Sequence, residues 1–318
     1  MMMKRVRLVL AGLVAMACGA ASWAYLSGPK PLSPDQLAAR YDTPLPPPDR
    51  PLTVFHLGHS LVGRDMPAIL AQLAEHDHSS QLGWGTPLKA HWEPDEPIQG
   101  FDEENAHDHY RDAKDAVASG DFDAFVLTEM VEIEAAINYF DAPDYLEKWA
   151  SAAREGNPDI RVFLYESWHD LNDPQGWLTR LDEDPARYWE GVLLAQAMAA
   201  APDTGPIHVI PAGRVMAEFV RRIESGDGVD GITSRDDLFA RMDDGTLDSI
   251  HINDLGAYLV ALTHYAVLYQ RTPVGLPRQL DRADGTPANA PGPDVADLMQ
   301  RTVWDVVSTL PITGIPQN

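Results

Sequence analysis

Cysteine is all but missing: Cys18 is the only one among 318 residues. A single thiol excludes an internal disulfide framework, a thiolate zinc centre and a thiolate nucleophile in any domain that follows it. Positive charge is scarce as well, with 24 Lys and Arg against 48 Asp and Glu and a formal net charge of −24. So acidic a chain repels nucleic acid and anionic lipid, which excludes both as partners. Apolar side chains are abundant, at 45% of the chain. That is enough for a core and excludes global disorder. The length admits one large domain or two small ones.

Acids are also missing from the first 26 residues. There Lys4, Arg5 and Arg7 precede an uncharged stretch from Leu8 to Leu26. This is the pattern of an export signal, and it is long enough to span a bilayer where it is retained. Ala15-Met16-Ala17 has the form of a cleavage site, and Cys18 directly after it offers a lipidated residue instead. Cleaved, anchored or lipidated, the rest of the chain is expected outside the cytoplasm, in the periplasm or another extracytoplasmic space. Contact with a membrane is expected through the N-terminal segment only. Residues 27–51, with Pro46-Pro47-Pro48, read as an extended proline-rich linker. The expected domain occupies 52–275. Residues 276–318 read as a loop rich in Pro, Gly, Ala and Asp, followed by a helix over Val295–Leu310 that packs back on the domain.

Four short apolar runs read as buried parallel strands: Leu52–Leu57, Ala124–Thr128, Ile160–Tyr165 and Ile207–Ile210. A fifth, less regular strand is expected between Ser80 and Trp92. Helical patterns separate these runs: Asp65–Glu75, His107–Ala118, Ala142–Glu155, Pro185–Ala200, Ala212–Ile223 and Asp254–Tyr269, the last capped by Asn253 or Asp254. Strands alternating with helices predict an α/β domain built on a central parallel sheet of about five strands.

Two motifs carry chemistry. Gly58-His59-Ser60-Leu61 follows the first strand directly, and Asp248-Ser249-Ile250-His251 precedes the last long helix of the domain. In open parallel sheets ligands bind beyond the carboxyl ends of the strands, where Ser60 is expected. A serine hydroxyl needs a base to become a nucleophile; His251 can take its proton, and Asp248 can hold the second ring nitrogen. Gly58 permits the tight turn, and the Ser60 N–H would face a developing oxyanion, with a second glycine N–H to help. Taken singly the motifs are weak, since Gly-x-Ser describes any strand-to-helix turn. Their order and position in the fold pattern give them weight.

On these residues the chain resembles the SGNH, or GDSL-type, hydrolase superfamily over roughly residues 52–273. The resemblance implies a three-layer α/β/α, flavodoxin-like domain and a serine esterase needing no cofactor. It makes Ser60 the nucleophile, His251 the base and Asp248 the orienting acid. His59 stands where many members have Asp, and Asp248-Ser249-Ile250-His251-Ile252-Asn253 with Gly256 and Tyr258 matches the closing block. The second block would supply an oxyanion N–H from Gly85, with Gly83 behind it. The third block departs from the family: Leu127-Thr128-Glu129-Met130 replaces Gly-x-Asn-Asp. An ionised Glu129 cannot donate a hydrogen bond. Either Glu129 is protonated, or Asn138 substitutes, or the hole has two donors.

His59, Glu129 and Trp168 are expected near the substrate pocket. Trp84 and Trp92 have two readings, sugar-stacking residues or core and loop anchors. His56 is expected at the nucleophile turn with His59. His76-Asp77-His78 and His107-Asp108-His109 lack a recognisable ligand set and read as solvated histidines, so no metal is expected. Acidic runs such as Asp102-Glu103-Glu104 read as solvated surface. The function expected is hydrolysis of a small acyl ester, acetyl first, on a small molecule or glycan. An O-acetyltransferase with the same triad and a non-catalytic glycan-binding protein are the alternatives.

Overall fold

A computed structural model describes residues 29–317. The stretch expected to act as an export signal, its expected cleavage site and Cys18 lie outside the described residues. No helix among those described is long and apolar enough to cross a membrane.

Five strands form one parallel sheet: β1 (Thr53–His59), β2 (Asp77–Gly83), β3 (Ala124–Leu127), β4 (Arg161–Glu166) and β5 (His208–Pro211). Their order is β2-β1-β3-β4-β5. Side chains alternate between the two faces, as the two-residue period of a strand requires. Val54, Ala124, Val126, Phe163, Tyr165 and Ile210 point into one core. Phe55, Leu57, Phe125, Leu127, Val162, Leu164 and Val209 point into the other. With both faces covered, the strands read as apolar runs, which made them legible in the sequence.

The helices, in chain order, are α1 (Pro34–Ala39), α2 (Asp65–Ala74), α3 (Leu88–Trp92), α4 (Phe101–Asn105), α5 (Ala113–Ser119), α6 (Ile133–Tyr139), α7 (Ala142–Gly156), α8 (Trp177–Asp184), α9 (Ala195–Ala200), α10 (Ala212–Glu224), α11 (Asp254–Tyr269) and α12 (Pro293–Val307). A π-helical segment, Pro185–Leu194, joins α8 to α9. Helices α2, α10, α11 and α12 pack on the first face. Helices α5, α7 and α9 and the π-helical segment pack on the second. The result is a three-layer α/β/α domain.

Outside the main sheet, β6 (Phe239–Arg241) and β7 (Leu247–Ile252) form an antiparallel hairpin that leads into α11. Asn253 caps that helix, its Oδ1 accepting from Leu255 N at 2.9 Å and Gly256 N at 3.2 Å. A Cβ at Gly256 would lie 2.6 Å from Leu238 O, so only glycine lets the hairpin sit against the helix.

Two expectations are corrected. The linker is not extended throughout. Ser33 and Gln36 form a reciprocal capping box that starts α1. Tyr41 is buried and donates to Ile207 O at 2.7 Å, and Leu45 N donates to Gly314 O at 2.8 Å. Leu37 and Tyr41 have core volume to fill, and that outweighs the preference of the flanking prolines. The helix expected over His107–Ala118 starts only at Ala113, where the Asp112 side chain accepts from Asp115 N. Residues before it form a loop that bridges to Ser80.

Candidate active site

Strand order reverses between β1 and β3, which creates a crevice at their carboxyl ends. Ser60 follows β1 at that crevice. The turn around it is clamped by buried side chains. A Cβ at Gly58 would lie 2.5 Å from Thr128 Cγ2, so glycine is required. Gly58 O accepts from His91 Nε2 at 2.8 Å, and Tyr165 OH donates to Leu61 O at 3.2 Å. His59 spans the turn, its Nε2 donating to Glu129 O at 2.8 Å and its Nδ1 accepting from Leu61 N at 3.3 Å. Burial keeps His59 and His91 neutral, each lowered to about 4 against the hydrogen bonds to carbonyl oxygens that raise them.

Hairpin strand β7 brings Asp248 and His251 to the same crevice. Ser60 Oγ lies 3.0 Å from His251 Nε2, and His251 Nδ1 lies 2.8 Å from Asp248 Oδ2. Asp248 Oδ1 accepts from Ile250 N and His251 N, both at 3.0 Å. Burial works to raise the Asp248 carboxyl, but these N–H groups and the His251 ring together hold it below the usual carboxylate range. The aspartate is therefore ionised at neutral pH and fixes the ring with Nδ1 protonated, leaving Nε2 to face the serine.

The hairpin is docked onto the loop after β4. Trp168 Nε1 donates to Ile250 O at 2.8 Å, Ser249 Oγ to Asp170 Oδ2 at 2.6 Å, and Leu171 N to Ser249 O at 2.9 Å. Trp168 is fully buried and fixes the strand that carries His251. It does not wall the pocket, which corrects that expectation.

A cavity of about 560 Å³ opens over Ser60 and His251, walled by Leu61, Trp84, Gly85, Glu104, Val131 and Ile250. Gly85 adopts φ +55°, and a Cβ there would meet nothing within 4 Å. Among the described residues, no protein acceptor takes the N–H of Ser60 or Gly85.

Five further expectations change. His59 is buried beneath the turn and does not line the cavity. Glu129 is likewise fully buried behind it. Its Oε1 accepts from Met130 N at 2.8 Å and Leu88 N at 3.3 Å, while its Oε2 has no partner. Burial pushes the Glu129 carboxyl up to about 7, against the two N–H groups that lower it. Asn138 sits exposed on α6, away from the cavity wall. His56 faces away from the nucleophile turn toward His264 and His78, with ring centroids at 6.2 and 6.4 Å. Nor is the His76 to His109 group uniformly solvated. His76 is buried against the Tyr269 hydroxyl at 2.7 Å, and His78 stacks on His109 with centroids 4.1 Å apart. No three His, Cys, Asp or Glu side chains converge on a metal position among the described residues.

Sequence reasoning passed over Glu104 and the support given by His91 and Asp170. Glu104 lay hidden in an acidic run. For His91 the signal would have been a polar residue among buried neighbours, visible only once β2 and α3 are placed, and for Asp170 it appears only once β7 is docked on the loop after β4.

No family model matches the sequence, and no curated protein matches it. Among solved structures, a DUF4886 family protein from Bacteroides uniformis superposes with a TM-score of 0.50 at 14% identity, over 80% of this chain and 94% of that one. A carbohydrate esterase family 2 enzyme with its carbohydrate-binding domain, from Corynascus thermopiles (Myceliophthora fergusii), gives a TM-score of 0.37 at 13% identity, over 70% and 67% of the two chains. At 14% identity the likeness to the DUF4886 family protein is one of fold, in keeping with a three-layer α/β/α domain with a five-stranded parallel sheet.

Proposed function

We propose that this protein is an SGNH-type serine esterase that removes a small acyl group, acetyl first, from a carbohydrate outside the cytoplasm. One observation carries the reading: the chain of contacts from Ser60 Oγ to His251 Nε2 at 3.0 Å and from His251 Nδ1 to Asp248 at 2.8 Å, opening on a cavity. In this mechanism Ser60 Oγ attacks the ester carbonyl while His251 Nε2 takes its proton. The same proton passes to the departing alcohol, and an acyl-serine remains. Water then attacks the acyl group, giving its proton to His251, which returns it to Ser60. The N–H groups of Ser60 and Gly85 receive the oxyanion, each donor contributing about 3 kcal/mol to the transition state. The hole has no side-chain donor from Glu129. The His251 side chain is 44% exposed, so water reaches the base directly, which favours hydrolysis over acyl transfer. The basic, acid-free N-terminus supports export.

The test is a fluorophosphonate probe together with a panel of acyl esters. Labelling of Ser60, abolished in Ser60→Ala and strongly slowed in His251→Ala, with release of free acetate, is the expected result. A folded protein that neither takes the label nor cleaves any ester would sink the proposal.

A further inference from the structure

We propose that the alcohol part of the ester is a neutral oligosaccharide: its acyl-bearing sugar stacks on Trp84, and its next units run past Glu104 into a second cavity walled by His78, His107 and His109. This rests on Ser60 being the nucleophile.

Trp84 is 50% exposed, unlike the buried Trp149, Trp168, Trp177 and Trp189. It is nonetheless held in one orientation. Its Nε1 donates to Glu104 Oε1 at 2.8 Å and its backbone N donates to Gln99 O at 2.7 Å. One part of the ring lies on Gly100, where a Cβ would fall 2.2 Å from a ring atom, and Gly100 takes φ +64° to allow it. The rest of the ring is in the wall of the Ser60 cavity. A fixed aromatic face beside a nucleophile suits the C–H face of a pyranose, because no side-chain entropy is lost when the sugar docks.

Glu104 is in the wall of both this cavity and an adjoining one of about 590 Å³. Either volume falls in the range of roughly 300–1,000 Å³ that takes ligands larger than one small group. The second cavity is polar yet offers little free positive charge. Arg282 is paired with Asp254 at 2.5 and 2.9 Å, and the Arg64 guanidinium is held by the Glu103 and Glu104 carbonyls. Burial, then the neighbouring imidazoles, lower His78 to about 3, and burial and Arg64 lower His107. Neutral imidazoles donate and accept hydrogen bonds, as do Ser80 and the hydroxyls of a sugar. An anionic glycan would meet a wall in which Asp65, Glu104 and Asp284 outnumber Arg64 and Arg282, on a chain of net charge −24.

Two measurements test this. The first compares kcat/KM on acetylated xylose, acetylated xylotetraose and 4-nitrophenyl acetate. The tetrasaccharide is expected to exceed the monosaccharide at least tenfold. Trp84→Ala should cut the tetrasaccharide value at least tenfold, mainly through KM and by more than it cuts 4-nitrophenyl acetate. Trp84→Phe should recover most of that loss, and His109→Ala should bring the tetrasaccharide-to-monosaccharide ratio towards one. No dependence on chain length, or an equal loss on all three substrates in Trp84→Ala, overturns the proposal. The second titrates Ser60→Ala with unacetylated xylo-, cello-, manno- and chitotetraose by calorimetry. Binding to at least one, lost in the Ser60→Ala/Trp84→Ala double variant, is expected; binding to none overturns it. Because this titration needs no catalysis, glycan binding with an unlabelled Ser60 would refute the esterase reading alone.

Discussion

Two carboxyl groups stand at the same edge of the sheet in opposite surroundings. Asp248 sits on a hairpin outside the main sheet, accepts from two backbone N–H groups and the His251 ring, and stays below the ordinary carboxylate range. Glu129 follows β3 within the sheet, fully buried, with one oxygen bonded to two N–H groups and the other without a partner, and is pushed up to about 7. The contrast separates orienting from filling. A carboxylate that must steer an imidazolium keeps its charge through donors and partial exposure. One that only satisfies the N–H groups of Leu88 and Met130 can do so with a proton on its idle oxygen.

The largest expected effect lies in activity. Asp248→Asn should lower kcat about 10⁴-fold, because the amide favours the wrong imidazole tautomer. Glu129→Gln mimics a protonated carboxyl and touches no substrate atom, so kcat should stay within about threefold. Ester hydrolysis by the two purified variants measures both. A collapse of kcat in Glu129→Gln would erase the distinction and return Glu129 to the pocket.

A smaller effect lies in stability against pH. Glu129 is raised in the fold from an ordinary 4.5 to about 7. Between these values the unfolded chain has released a proton that the folded chain retains, so stability falls as pH rises through that window and levels off above it. The loss is roughly 3 kcal/mol at most, from the size of the shift. Asp248 has the opposite sign. Its depressed value contributes stability that is present above the ordinary aspartate range and lost as pH falls below it. Buried histidines such as His59 and His91, lowered to about 4, make stability rise with pH up to their ordinary range. It is therefore the difference in urea midpoint between the wild type and Glu129→Gln that should decline between pH 4.5 and 8. Equal slopes for the two proteins would show that Glu129 is ionised or solvated.

This asymmetry also marks how far the sequence could be read. The parallel strands were legible because burial on both faces leaves continuous apolar runs, and α11 because Asn253 precedes sixteen helical residues. Ser60, Asp248 and His251 were legible because local motifs at element ends carry their own geometry. Glu129, His59 and Trp168 were not. Whether such a side chain enters the crevice or the packing behind it depends on neighbours far along the chain, such as Leu88 for Glu129 and Ile250 for Trp168. The hairpin escaped notice because β7 is only half-buried along its length and lacks an apolar run. The residues ahead of Leu52 were misjudged because proline content masked two anchoring side chains, Leu37 and Tyr41.

The smallest effect concerns how each carboxyl is held. Glu129 inherits its position from the main sheet, whereas Asp248 depends on three hydrogen bonds that dock β7 onto the loop after β4. Trp168→Phe removes one of them with little change in packing, leaving Ile250 O without its donor. That should lower stability by about 1–3 kcal/mol. Ile250 lies between Asp248 and His251, so the slackened strand should also let the imidazole drift from Ser60. A displacement near 1 Å can cost up to about 10²-fold in rate. Phosphonylation of Ser60 should slow in Trp168→Phe, while the pH slope of stability, to which Glu129 and the buried histidines contribute, should remain that of the wild type. A variant that loses the slope but keeps its labelling rate would mean that Trp168 supports the sheet rather than the hairpin.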